Sequence, residues 1–145
     1  ADTSLLSLLV ENGYVPVVSS LCSDEAGNIL NINADTVASV LARGLGATRL
    51  LSLTSVPGVL RNAGDPESLI STLSVSEVDE AIRTGVVKGG MVPKVTALVD
   101  AVRGGVRGAA ILSGLSESSL LLELFTSEGV GTLIRPDESD AEGTA

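Results

Sequence analysis

The chain has no histidine, one cysteine (Cys22) and only two aromatic side chains, Tyr14 and Phe125, in 145 residues. Each shortage closes off some chemistry. Without histidine there is no imidazole to serve as a general base or a metal ligand. A single cysteine rules out an internal disulfide and makes a reducing compartment the simpler setting. With no histidine to activate it, Cys22 reads as a small, buried or half-buried residue. No apolar run is long enough to span a bilayer, and the N-terminus lacks the basic-then-apolar pattern of a secretion signal. We therefore expect a cytoplasmic protein with no membrane partner. Positive charge is also scarce: nine Lys and Arg against 18 Asp and Glu leave a net charge of −9. A nucleic-acid binder would carry a basic face instead, so no nucleic-acid partner is expected.

What the chain does have is aliphatic bulk. Hydrophobic residues make up 44% of it, enough for a sizeable core in one domain. We expect that domain to run over residues 1–135, with 136–145, "PDESDAEGTA", as an acidic, solvated and disordered tail. The chain begins without an initiator Met, directly in a helix-like pattern, and this suggests a fragment or a processed protein. "TSLLSLLVENG" reads as a short helix that Gly13 can stop. "YVPVVSSL" (14–21) reads as a buried strand, "CSDEAGN" as a turn and "ILNI" (29–32) as a second strand. The apolar positions 34, 37, 38, 41 and 45 keep helical spacing, with Asn33 as N-cap and Gly46 as the stop. "RLLSLT" (49–54) is the next strand, ended by the Pro57-Gly58 turn and a polar loop over 61–68. Ser74 and Glu77 have the spacing of a capping box, which opens a helix that closes at Gly85. A further helix is predicted from about Pro93 to Arg103. Beyond it come a strand at 108–112, a helix at 118–126 and a strand at 131–134.

Alternating helices and strands predict a three-layer α/β/α sandwich with a mainly parallel central sheet. In such sheets ligands sit at the carboxyl ends of the strands, which draws attention to 31–35, 54–60 and 86–94. Lys94 falls in the first turn of a helix, where unpaired N–H groups already carry partial positive charge. It is either a solvated lysine or, with Gly89-Gly90 letting the backbone come close and Pro93 fixing the helix start, half of a phosphate site. The pattern is not the GxxxxGK[ST] loop of P-loop enzymes. Asp35, near the start of another helix, is either a favourable helix-end charge or the partner that orients Lys94. Asn31, at a strand end, is either an edge residue or a group that holds a small polar substrate. The turn at 55–60 is generic by itself, though it can set backbone groups against a base or ribose.

Four segments in order, "NINAD" (31–35), "LLSLTSVPGVL" (50–60), "GGMVPKV" (89–95) and "LLLELFTSEGVGTLI" (120–134), resemble the carboxyl-terminal half of the acetylglutamate kinases, in the amino-acid kinase family. The resemblance runs from "GYVPVVSS" and the residues before it to about Arg135. It implies the fold of that family's C-terminal lobe, and transfer of a phosphoryl group from ATP, with Mg2+, to the γ-carboxylate of N-acetyl-L-glutamate in arginine biosynthesis. By the same resemblance Asp35 organises the catalytic lysines, Lys94 stabilises the phosphoryl group in transit, and Asn31 holds acetylglutamate. Ser55, Val56, Pro57, Gly58, Val59 and Leu60, with Val86, Val87, Lys88, Gly89 and Gly90, hold the nucleotide. Glu123 and Gly129 match positions that contact arginine in feedback-inhibited members, but an intact arginine site is not expected. No protein-held metal is implied. The family's amino-terminal lobe, with a glycine-rich loop, a second lysine and most of the substrate pocket, has no counterpart here. The expected partner is that lobe or a second copy of the chain, and the chain alone is expected to be inactive or very slow. The sequence also departs from the pattern inside the matching half. Ser55 and Ser113 stand where aspartates are usual, and Ala110 and Ser118 near places of histidines. The kinase of carrier-linked aminoadipate in lysine synthesis shares the same half-fold. A non-catalytic nucleotide-binding or regulatory relative is the other reading.

Overall fold

The computed structural model describes residues 2–126 and 129–138. In chain order it contains α1 (Ser4–Glu11), β1 (Leu21–Ser23), β2 (Ile29–Asn31), α2 (Ala34–Gly44), β3 (Arg49–Thr54), a 3-10 turn (Pro66–Ser68), β4 (Thr72–Ser74), α3 (Val75–Arg83), α4 (Met91–Arg103), β5 (Gly108–Ser113), α5 (Ser119–Phe125) and β6 (Thr132–Arg135). The central sheet has the order β3-β5-β6-β4. β3 lies parallel to β5, from Arg49 opposite Gly108 to Thr54 opposite Ser113. β4 lies parallel to β6, and the two pairs join through an antiparallel β5–β6 contact. The sheet is thus mainly parallel and flanked by helices, as the alternating pattern predicts.

Helix starts are where local chemistry decides most. Asn33 Oδ1 accepts from the backbone N–H groups of Asp35 (2.8 Å) and Thr36 (3.3 Å), so α2 begins at its predicted cap. Ser74 and Glu77 form both halves of the capping box at the start of α3. α4 begins two residues before the predicted Pro93. The Val92 N–H donates to the Gly89 carbonyl at 3.2 Å, which winds the chain before the proline is reached. Proline is tolerated there because the first N–H groups of a helix have no intrahelical acceptor. Gly89 makes the turn into α4 with φ +58°, a left-handed conformation that favours glycine.

Helix α4 packs against both α2 and α3, and all three lie on the sheet. Val78 of α3, Val95, Leu98, Val99 and Val102 of α4, Ala109 and Ile111 of β5, and Ile134 of β6 form the core. All six residues of β5 are buried. Because side chains alternate along a strand, Ala110 and Leu112 face away from that cluster. α5 packs on β5 without joining the α2–α4 layer.

The structure departs from the expected elements in two places. Residues 14–20 form no strand: they are irregular, with Val15 88% and Val17 96% exposed. Only Leu21–Ser23 pairs, antiparallel with Ile29–Asn31, in a two-stranded unit outside the main sheet. Strand propensity is realised only when a second backbone takes up the hydrogen bonds along the run, and among the described residues only Ser20, at its end, accepts one from across, from Ile32 N–H at 3.0 Å. Conversely, β4 is a strand the sequence reading does not include: it is three residues long and ends on Ser74, the capping serine of the predicted helix. Of the tail, Pro136–Glu138 are described, and Asp137 accepts from Ser76 N (3.1 Å) and Ser76 Oγ (2.6 Å). These bonds, the Ser76 hydroxyl first, hold the Asp137 carboxyl below its ordinary value. The rest of the expected disordered tail, 139–145, lies outside the described residues.

Candidate functional site

Asp35 is the second residue of α2 and Lys94 the fourth of α4, so both stand in first turns. They meet: Lys94 Nζ donates to Asp35 Oδ1 at 2.8 Å and to Oδ2 at 3.0 Å. The side chains are 21% and 24% exposed, so the pair is shielded yet reachable. This contact explains a cation at the positive end of a helix. The Asp35 carboxylate offsets the α4 dipole at Lys94, and its own position is favourable in α2. An incoming anion would find an ammonium and the free N–H groups of a helix start together.

Ser52, in the middle of β3, completes the cluster. Its Oγ lies 3.5 Å from Asp35 Oδ1, and it accepts from Lys94 Nζ at 3.4 Å. Sequence reasoning missed it. The signal was a serine hydroxyl in the middle of "RLLSLT", two residues from Leu50 and so on the same core-facing side of the strand.

Beside this cluster the chain after β3 and the chain before α4 form one cleft of about 210 Å³. Of the residues expected at a nucleotide, Val56, Gly58, Val59, Leu60, Val86, Val87 and Lys88 line it, along with Met91, Ala63 and Gly64. Ser55, Pro57, Gly89 and Gly90 belong to the same two segments without lining it. Met91 opens α4 three residues before Lys94, which sets the cleft next to the ion pair. One buried residue, also missed by the sequence reading, shapes this cleft. Thr132 Oγ1 accepts from Val59 N–H at 2.8 Å and donates to the Ile70 carbonyl at 2.6 Å. A Cβ on Gly58 would lie 2.5 Å from that hydroxyl, so glycine is required there by space.

Asn31 ends β2 opposite Leu21 and is exposed, four residues before Asp35. Glu123 and Gly129 come together elsewhere. Glu123 Oε2 accepts from Val130 N–H at 3.0 Å, and the two residues line a separate pocket of about 110 Å³ with Arg49 and Thr126. Among the described residues no group of three or more His, Cys, Asp or Glu could hold a metal ion.

Comparison with known proteins bears on the family and the fold. The model of the amino acid kinase family matches residues 1–113. The chain belongs to the amino acid kinase family. Within the family it is 45% identical over 133 residues to the acetylglutamate kinase of Methanothermobacter thermautotrophicus, and 50% identical over 141 residues to that of Synechococcus sp. (strain JA-2-3B'a(2-13)). These alignments cover 92% and 97% of this chain but 45% of each relative. The chain therefore spans a little under half the length of the curated relatives it matches. Among solved structures, N-acetylglutamate synthase from Neisseria gonorrhoeae, complexed with coenzyme A and L-arginine, superposes with a TM-score of 0.86 at 30% identity. It covers 94% of this chain and 31% of that one. Carbamate kinase from Giardia lamblia bound to AMP-PNP superposes at 0.66 with 22% identity, over 92% of this chain and 48% of its own, a likeness of fold alone.

Proposed function

We propose that this family member is the MgATP-binding half of an acetylglutamate kinase. The observation that carries the reading is the Lys94–Asp35 pair, at 2.8 Å, at the starts of two helices beside the cleft of 56–60 and 86–88. In this reading an oxygen of the N-acetyl-L-glutamate γ-carboxylate attacks the γ-phosphorus of ATP. The bond from that phosphorus to the β,γ-bridging oxygen breaks, and an acyl phosphate and ADP result. Such transfer needs positioning and neutralisation of charge rather than a nucleophilic side chain, which suits a protein without histidine. Lys94 neutralises the phosphoryl oxygens in transit, Asp35 orients Lys94, and Asn31 holds acetylglutamate. Ser55 to Leu60 and Val86 to Gly90 hold the nucleotide. Magnesium arrives with ATP as part of the substrate.

The remainder of the machinery in this reading is the amino-terminal lobe that the resemblance leaves unmatched, or another copy of the chain. The exposed apolar side chains of Val15, Val17, Leu21 and Ile29 support such a partner. Residues 1–135 act as one lobe with 136–145 as its tail, and Glu123 and Gly129 are remnants of an effector site. Among the described residues no helix is long and apolar enough to cross a membrane. The kinase reading, an enzyme of amino-acid biosynthesis, is what assigns the protein to the cytoplasm.

Calorimetric titration with MgATP, wild type beside Lys94→Ala, tests this. The variant is expected to bind on the order of 10-fold more weakly, as for loss of a charge-assisted hydrogen bond. A folded wild type that binds no MgATP would sink the reading. A second reading, a nucleotide-binding relative that does not catalyse, draws on Ser55 in the usual aspartate place. It predicts the same titration but no acetylglutamate phosphorylation once the amino-terminal lobe is supplied. Phosphorylation of a carrier-linked aminoadipate instead would redirect the substrate assignment.

A further inference from the structure

The Lys94–Asp35 pair joins two helix ends through flexible side chains, and Ser52 touches both partners from a third element. We propose that Ser52 is a positioning residue that fixes this ion pair to the central sheet. Lys94 Nζ has three N–H groups and three acceptors within reach: Asp35 Oδ1 at 2.8 Å, Asp35 Oδ2 at 3.0 Å and Ser52 Oγ at 3.4 Å. A hydroxyl accepts and donates at once. Ser52 Oγ therefore takes the Lys94 N–H and gives its own proton to Asp35 Oδ1, 3.5 Å away.

The element that carries Ser52 makes this consequential. β3 is held along its length by six residue pairings with β5, the buried centre of the sheet, and Ser52 lies opposite Ile111. A lysine on a four-carbon stem loses much rotamer freedom when held in one place, and an anchor on a rigid strand lowers the cost of keeping it there. The two long contacts are individually weak, but they come from one atom that meets both members of the pair. An aliphatic residue at 52 would continue the strand's own pattern and leave the pair tied only helix to helix. The serine breaks the run at the one place where a hydroxyl meets both charges.

The role rests on the function proposed above only for its ligand, since the contact itself exists in the free protein. The test uses the whole chain labelled with 15N-lysine. With only Lys88 and Lys94 present, Lys94→Ala assigns the two ammonium signals. Ser52→Ala removes a single oxygen. It is expected to speed exchange of the Lys94 ammonium protons with water and to weaken MgATP binding, each on the order of 3- to 10-fold, the worth of a modest hydrogen bond. Ser52→Thr, which keeps the hydroxyl and suits a strand, is expected to restore both. An unchanged Lys94 signal in Ser52→Ala overturns the proposal, and so does a threonine variant that behaves like alanine. If the wild type binds no MgATP, the function reading fails, and the exchange of the Lys94 signal still decides the role of Ser52.

Discussion

The segment from β4 to β6 and the segment from α1 to β2 have similar shares of aliphatic residues and opposite fates. In the first, Val78, Val95, Ile111 and Ile134 are fully buried, because α3 and α4 lie on a sheet three of whose four strands occur in the same stretch of sequence, although α5 within it leaves its leucines exposed. In the second, α1 buries none of its residues, and Tyr14, Val15, Val17, Leu21 and Ile29 are each more than half exposed. The difference is one of partners rather than composition. An apolar side chain is stabilised by about 25 cal/mol for each Å² it removes from water, and removal requires a facing surface. The first segment supplies its own; the second offers one half of a contact.

The largest expected effect tests this contrast directly. Leu98→Ala, in the middle of α4, should cost about 2–5 kcal/mol in urea unfolding, while Val17→Ala should stay within roughly 0.5 kcal/mol. Equal costs would mean that residues 14–18 are packed after all. Next comes Thr132→Val, which keeps the side-chain shape and removes both hydrogen bonds of the hydroxyl. It leaves the Val59 N–H without its acceptor, at a cost of about 1–3 kcal/mol. MgATP titration should weaken along with stability, because the same bond sets the turn of the cleft. A loss of stability with unchanged binding would separate the cleft from the core that supports it. The smallest effect has the opposite sign. Ser39 of α2 is buried, and its Oγ has no hydrogen-bond partner among the described residues. Ser39→Ala should therefore raise the urea midpoint, by up to about 1 kcal/mol of stability. Destabilisation instead would show that α2, the seam between the two segments, is held by a polar contact.

Much of the site was legible because local rules placed it. Asn33 as a cap and the GlyGly-Met-Val-Pro-Lys start of α4 put Asp35 and Lys94 in first turns without any tertiary knowledge. The turn at 57–58 could be read from two residues. Ser52 and Thr132 were not legible, since a hydroxyl in a strand reads the same whether it faces water or an ion pair. The strand expected at 14–21 was misjudged for a related reason: β-branched residues report a preference for a pleated surface, not the presence of a neighbour.

By itself, then, the sequence determined the caps at Asn33 and Ser74, the order of most of the elements, the aliphatic core and the exclusion of imidazole chemistry, largely properties of residues close in the chain. Tertiary structure alone decided that Asp35 and Lys94, 59 residues apart, meet within hydrogen-bond distance with Ser52 beneath them. It alone decided that 56–60 and 86–88 face one cleft, and which apolar runs are buried. Those outcomes depend on which surfaces are brought face to face, and that information is not held in any short window of the chain.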